Sequence, residues 1–159
     1  MVEANVVLAK HLRGGARLAY IRDSISKILS KYEILHGCLE GISHGSIGKK
    51  FDLAEVCGTI KTLYHDRGIM HHVVPPSTLK LYAAGHGTAD KSRMMKAVRE
   101  HYGYSTSNDN VADAVALAQA ARTIATGAFT RRCELDAVKS ITAPPKSKQR
   151  RKTKPPLSV

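Results

Sequence analysis

Asp109 and Asp113 stand four residues apart at the opening of an alanine-rich run, Ser107-Asn108-Asp109-Asn110-Val111-Ala112-Asp113-Ala114-Val115-Ala116-Leu117-Ala118. At helical spacing both carboxylates project from one face. Ser107 or Asn108 suits the N-cap, and Val111, Val115 and Ala118 mark the stripe expected to be buried. Two readings are open. Acids in a first helical turn are favoured by the macrodipole, so the pair can be no more than an acidic helix start, the commoner explanation for such a pair alone. Alternatively, paired carboxylates offer hard oxygen ligands that suit Mg²⁺ or Mn²⁺ far better than soft ions.

Three upstream segments carry further chemistry. Ile34-Leu35-His36-Gly37-Cys38-Leu39-Glu40 reads as a short buried strand ending in a carboxylate. Val74-Pro75-Pro76-Ser77-Thr78-Leu79-Lys80 holds a proline pair and a lysine, and Ala84-Gly85-His86-Gly87-Thr88-Ala89-Asp90-Lys91 holds a glycine turn followed by a second lysine. Alone, Glu40 is a solvent-facing strand end and each lysine a solvated charge. Glu40 nonetheless lies at the carboxyl end of a strand, where α/β sheets place their sites. Lys91 opens a helix, where backbone N–H groups favour a phosphate, and the Gly85-His86-Gly87 turn would let the backbone approach a ligand closely. The turn is no nucleotide-binding P-loop, because Asp90 replaces the glycine required before the lysine.

The elements that must position these residues follow from periodicity. Leu18, Ile21, Ile25, Ile28 and Leu29 predict a helix over about 16–31. A strand follows over 34–39, then a glycine-rich loop over 41–50. Leu53, Val56, Cys57, Ile60, Leu63 and Tyr64 predict a second amphipathic helix closing near Gly68. Residues 69–74 form a strand stopped by Pro75-Pro76, 90–102 a basic helix, and a long helix runs from near Asp109 to about Thr126. Residues 131–140 add a turn or two. Alternating helices and short strands predict an α/β domain with parallel pairing.

Composition bounds the class. A chain of 159 residues supports one domain, and 43% hydrophobic content is ordinary for a globular protein. The net charge of +12 and a pI near 9.9 point to a polyanion partner such as nucleic acid. Lys146, Lys148, Arg150, Arg151, Lys152 and Lys154 carry half of that net charge in an acid-free end from Thr142, which lacks periodicity and is expected to be disordered. That tail is either a solvated spacer or a non-specific DNA tether, and the tether is favoured. Three scattered cysteines, Cys38, Cys57 and Cys133, suit a reduced compartment, with Cys38 and Cys57 expected in the core. No apolar run approaches the ~20 residues of a membrane span, and no signal peptide is evident; an intracellular, cytoplasmic protein without a membrane partner is expected. His36, His44, His65, His71, His72, His86 and His101 show no HExxH or Cys/His spacing, which argues against zinc.

Taken together, the strand ending in Glu40, the Pro75-to-Lys80 segment, the Gly85-to-Lys91 turn and the Asp-containing alanine-rich helix resemble the RuvC-type Holliday junction resolvases, particularly their phage-like branch, over roughly residues 13–140. The resemblance implies an RNase H-like fold with helices packed on a short mixed sheet. Members of that family open with a strand carrying a metal-binding aspartate. Here Val6-Val7-Leu8 has no aspartate in or after it, and Glu3, the nearest acid, fits poorly. The expectation is therefore an N-terminally incomplete nuclease domain over 1–141, lacking its leading hairpin, followed by a basic tail over 142–159.

Residue by residue, Glu40 matches the family's second acid and Asp113 its final aspartate. Bacterial members place the last two aspartates three apart, a position held here by Asn110, whereas Asp109 fits the phage-like Asp-Asn-x-Ala-Asp pattern. Asp109 can alternatively be a helix-capping residue only. The implied metal ligands are Glu40, Asp109 and Asp113, and Lys91 joins them as a catalytic residue. Lys80, His86, Lys91 and Arg93 are the implied DNA contacts, and Mg²⁺, with Mn²⁺ as substitute, is the implied cofactor. The implied activity is metal-dependent, structure-specific cleavage of branched DNA such as four-way junctions, in recombination and repair, by a homodimer. The competing expectation is a truncated or degenerate relative that binds branched DNA without efficient cleavage. A structural nucleoprotein acting through its tail would leave the three acids unexplained.

Overall fold

Two parallel strands joined by a helix form the centre of the computed structural model, which describes residues 4–42 and 50–144. The expectations placed on Glu3, His44, most of the 41–50 loop and the tail beyond residue 144 lie outside the described residues. In chain order the elements are α1 (Gly14–Leu29), β1 (His36–Glu40), α2 (Lys50–Asp66), β2 (Met70–Val74), α3 (Pro76–Ala84), α4 (Lys91–Tyr102), α5 (Asp109–Thr126) and α6 (Arg132–Thr142). β1 pairs with β2 in the register His36 to Met70 through Glu40 to Val74. The described sheet is parallel throughout, which agrees with the parallel pairing, and it contains no antiparallel strand of the kind a mixed sheet requires. Val6 to Leu8 form no strand, and Val6 and Leu8 are exposed.

Alternation along the strands sorts side chains between two helical layers. Gly37 faces α2, where a Cβ would lie 2.7 Å from Cε2 of Tyr64. Tyr64 packs with Leu29, Leu63 and Ile69 in a cluster shared by α1, α2 and the entry to β2. Cys38 and Val74 face the other way, onto Leu79 and Ala83 of α3, Met94 and Val98 of α4, and Ala112, Val115 and Ala116 of α5. Burying a Leu or Val side chain contributes roughly 1.5–3 kcal/mol, so this second cluster holds the helices that bear the candidate site. The stripe of α5 is Ala112, Val115, Ala116 and Ala120; the expected Val111 is only half-buried and Ala118 is exposed. Alanine lets α5 approach the sheet closely, so small side chains carry the contact. On α2 only Leu63 is buried and Leu53 is exposed, so the expected apolar face is covered only towards its C-terminal end.

Local signals explain most boundaries. Asn108 caps α5, accepting from the N–H groups of Asn110 at 3.0 Å and Val111 at 3.4 Å. Asp90 caps α4 by accepting from the Arg93 N–H at 2.8 Å. Gly103 and Gly127 close α4 and α5 in the left-handed region that glycine tolerates. α3 has no counterpart in the sequence reading, which took Pro75-Pro76 as a strand stop. Pro76 is also a helix opener, since at the first position its missing N–H has no intrahelical partner to lose.

Candidate active site

Glu40 ends β1 on the face that looks towards α5. The ladder continues one residue beyond it, with the Gly41 N–H donating to the Val74 oxygen at 2.8 Å. That bond holds the backbone on both sides of Glu40 in the sheet. Asp113 lies one turn into α5, next to the buried Ala112. Lys80 stands on α3, half-buried, and Lys91 and Asp109 are the first residues of α4 and α5.

These groups form one electrostatic unit. Burial raises the Glu40 carboxyl above its ordinary range; Asp113 raises it further, and Lys80 pulls it back. Asp113 is raised in the same way, first by burial, then by Asp109, against the opposing pull of Lys80 and Lys91. Neither the Glu40 nor the Asp113 carboxylate makes a hydrogen bond or ion pair with a described residue. Asp109 behaves differently. It forms an ion pair with Lys91, whose hydrogen bond outweighs loss of hydration and holds the Asp109 carboxyl low. The same bond raises Lys91.

The structure thus places Glu40 and Asp113 within electrostatic reach of Lys80 and joins Asp109 to Lys91. Among the described residues no three His, Cys, Asp or Glu side chains are gathered closely enough to hold a metal ion. The expected trio of Glu40, Asp109 and Asp113 is therefore not closed as a three-ligand cage. The donor chemistry still fits a hard cation. Glu40 and Asp113 are oxygen ligands whose mutual repulsion a divalent ion would relieve, and Mg²⁺ is commonly held by one or two carboxylates with substrate phosphates completing its shell.

Two local features bear on the expected phosphate approach. The N-terminus of α4 is already capped by the Asp90 carboxylate, which takes the Arg93 N–H, so that donor is not free for a phosphate. The glycines of the 85–87 turn serve the fold. Gly85 ends α3 at φ 78°, and a Cβ on Gly87 would lie 3.2 Å from the Ser77 carbonyl oxygen. His86 and Arg93 are both exposed, and the Arg93 side chain has no partner among the described residues.

The sequence reading missed a buried polar hub beneath α3. Arg131 donates to the Ala83 oxygen at 2.7 Å, the Tyr82 oxygen at 2.9 Å and the Tyr102 hydroxyl at 2.8 Å. It also pairs with Glu134 at 2.8 Å. Arg131 thereby occupies the last carbonyls of the helix that carries Lys80. Glu134 accepts from the backbone N–H groups of Thr130 at 2.8 Å and Arg131 at 3.2 Å. A glutamate three residues after a helix N-cap is the signal that could have found it.

The chain is similar in sequence to the crossover junction endodeoxyribonuclease RuvC of Gloeobacter violaceus, with 29% identity over 105 residues, 65% of this chain and 61% of that one. It thus spans about three fifths of the length of the curated relative it matches. In structure it resembles Thermus thermophilus RuvC, with a TM-score of 0.63 and 20% identity over 76% of this chain and 72% of that one. It also resembles T. thermophilus RuvC in complex with Holliday junction substrate, with a TM-score of 0.59 at 20% identity over 74% and 72% of the two chains. The chain matches no family model. Its resemblance to the RuvC-type resolvases therefore holds in both sequence and fold, and the fold is the RNase H-like one.

Proposed function

We propose that this chain is a divalent-metal-dependent endonuclease that cuts branched DNA, with four-way junctions as its substrate. The observation that carries this reading is the Glu40–Asp113 pair. Two carboxylates of raised pKa, without side-chain hydrogen-bond partners among the described residues, stand within electrostatic reach at a strand end and a facing helix, both under the influence of Lys80. The RuvC-like fold supports it, as does the net charge of +12, which favours a polyanion.

Glu40 and Asp113 would hold Mg²⁺, or Mn²⁺ in its place, with Asp109 adding a ligand when Lys91 releases it. When bound, the ion supplies charge neutralisation at the phosphate and a more acidic water. The protein's own groups do the rest. Lys80 offsets negative charge on both carboxylates and stands ready to meet a DNA phosphate. Lys91 exchanges its carboxylate partner for a phosphate oxygen, which frees Asp109 to turn towards Asp113. Arg93 and His86, both exposed, add contacts to the backbone. Function as a homodimer, which would place two such sites on opposed strands, and a cytoplasmic location belong to the same proposal. No helix among the described residues is long and apolar enough to cross a membrane.

The test is nicking of an end-labelled four-way junction against a linear duplex of the same sequence, across a Mg²⁺ titration. Metal-dependent cuts confined to the junction support the reading. Tight junction binding with no cleavage at any Mg²⁺ or Mn²⁺ concentration replaces it with a non-cutting DNA-binding module.

A further inference from the structure

α4 carries Ser92, Lys96 and Arg99 at i, i+4 and i+7, which places them in one stripe along the helix. Gly103 turns the chain back, and residues 103–108 return towards the start of α4, since Asp109 there meets Lys91. Between helix and returning segment lies an open groove of about 640 Å³, lined on the far side by Ser105, Thr106 and Ser107. No acid lines it. The Arg99 guanidinium has no partner among the described residues. Lys96 has only an exposed contact of 3.8 Å to Glu100, which a phosphate can displace. Arg93, one residue beyond Ser92, is turned about 100° away from the stripe and does not line the groove.

Two cations facing three hydroxyl-bearing residues suit an anionic backbone rather than a base edge, because Lys, Arg, Ser and Thr side chains are common donors to phosphate oxygens. The stripe from Ser92 to Arg99 runs ~10 Å at 1.5 Å per residue, the axial rise of about three nucleotides of one strand. One end abuts the Lys91–Asp109 pair and the other points away from it. We propose that this groove is a second DNA-backbone site, which receives consecutive phosphates of the strand adjoining the one placed at Glu40 and Asp113. This inference rests on the proposed action on DNA and concerns a surface outside the carboxylate site. Lys96 and Arg99 hold the flanking strand, the hydroxyls complete the phosphate shell, and the scissile segment is thereby aligned with the acids.

The experiment measures binding of the full chain to a four-way junction without divalent metal, for the parent and for Lys96→Gln/Arg99→Gln. Both positions are exposed, and matching far-ultraviolet spectra would establish an intact fold. The double variant is expected to lose about 1.8 from the magnitude of the log K against log salt slope, 0.9 for each duplex phosphate contact. Methylphosphonate linkages are then scanned along the strands. A run of two or three adjacent substitutions should weaken the parent several-fold and leave the double variant unaffected at that run, while other positions still weaken both. An unchanged salt slope, or equal sensitivity of parent and variant at every position, overturns the groove. A parent that binds by this pattern but never cuts overturns the nuclease reading and leaves the groove standing. A parent that binds no DNA overturns both.

Discussion

Replacing Arg131 by Met should be among the most damaging single changes outside the acidic site. The Glu134 side chain is only 5% exposed and that of Arg131 21%, so their 2.8 Å contact is largely shielded from water. Burial alone would raise the Glu134 carboxyl, but the N–H groups of Thr130 and Arg131 and the Arg131 guanidinium together hold it below its ordinary value. Removing the guanidinium leaves a buried carboxylate without its cation, a loss of about 3–5 kcal/mol. It also strips a donor from the Tyr82 and Ala83 carbonyls and the Tyr102 hydroxyl. Glu134 keeps its two backbone donors, so the lower end, ~3 kcal/mol, is expected. At 2–4 °C per kcal/mol for a chain of this size, Tm falls by roughly 6–12 °C. Urea denaturation with linear extrapolation measures the loss directly. Arg131→Met/Glu134→Gln, which leaves no orphan charge while keeping an acceptor for the helix N–H groups, should recover about half of it. A single variant within ~1 kcal/mol of the parent, or a double variant less stable than the single, would refute the account of the hub.

Three further outcomes follow from the structure. Glu40 and Asp113 have raised carboxyl pKa values, so the folded state binds more protons than the unfolded one and these groups lower stability as pH rises. Asp113→Asn should therefore raise Tm at pH 7, with the advantage shrinking as pH falls through the carboxylate range; a lower Tm at pH 7 contradicts the strained pair. Glu134, held low, has the opposite sign: its contribution is present above the ordinary carboxylate pKa and is lost in acid. Gly37→Ala places a Cβ 2.7 Å from Tyr64 and should cost about 1–3 kcal/mol by overpacking. Tyr64→Leu in the same chain should return part of that, and urea midpoints that fail to show the rescue would locate the strain elsewhere.

α4 and α5 were legible because their ends are written locally, in the caps Asp90 and Asn108 and the closing Gly103 and Gly127. α3 was not, since a proline pair after a strand serves equally as a stop and as a helix start. The buried face of α5 was placed correctly at Val115 but not at Val111 or Ala118, because alanine carries a weak hydrophobic signal and its burial depends on how closely a neighbouring sheet approaches. Glu40 and Asp113 were identified through family resemblance, and no spacing rule joins residues so far apart in the chain. Their meeting needs the parallel register of β1 and the packing of α5 across it. The Lys91–Asp109 pair was hidden for the same reason, because it arises only where the segment after α4 returns to that helix's start. The turn glycines show a more specific limit. A sequence shows that glycine is needed there, but not whether the close neighbour is a ligand or, as for Gly87, the Ser77 carbonyl.

The central claim is that Glu40 and Asp113 act together on a metal-assisted cut in DNA. Its most direct test compares the parent with Glu40→Gln, Asp113→Asn and the double variant in single-turnover cleavage of a four-way junction at saturating protein and fixed Mg²⁺. A carboxylate that acts on the ion and the transition state contributes little to general DNA affinity. Each single variant should therefore lose at least about a hundredfold in rate while binding the junction within a few-fold of the parent, and the double variant should be scarcely slower than either single, as for residues that act as a unit. Parent-like cleavage by either single variant at matched occupancy would contradict the claim.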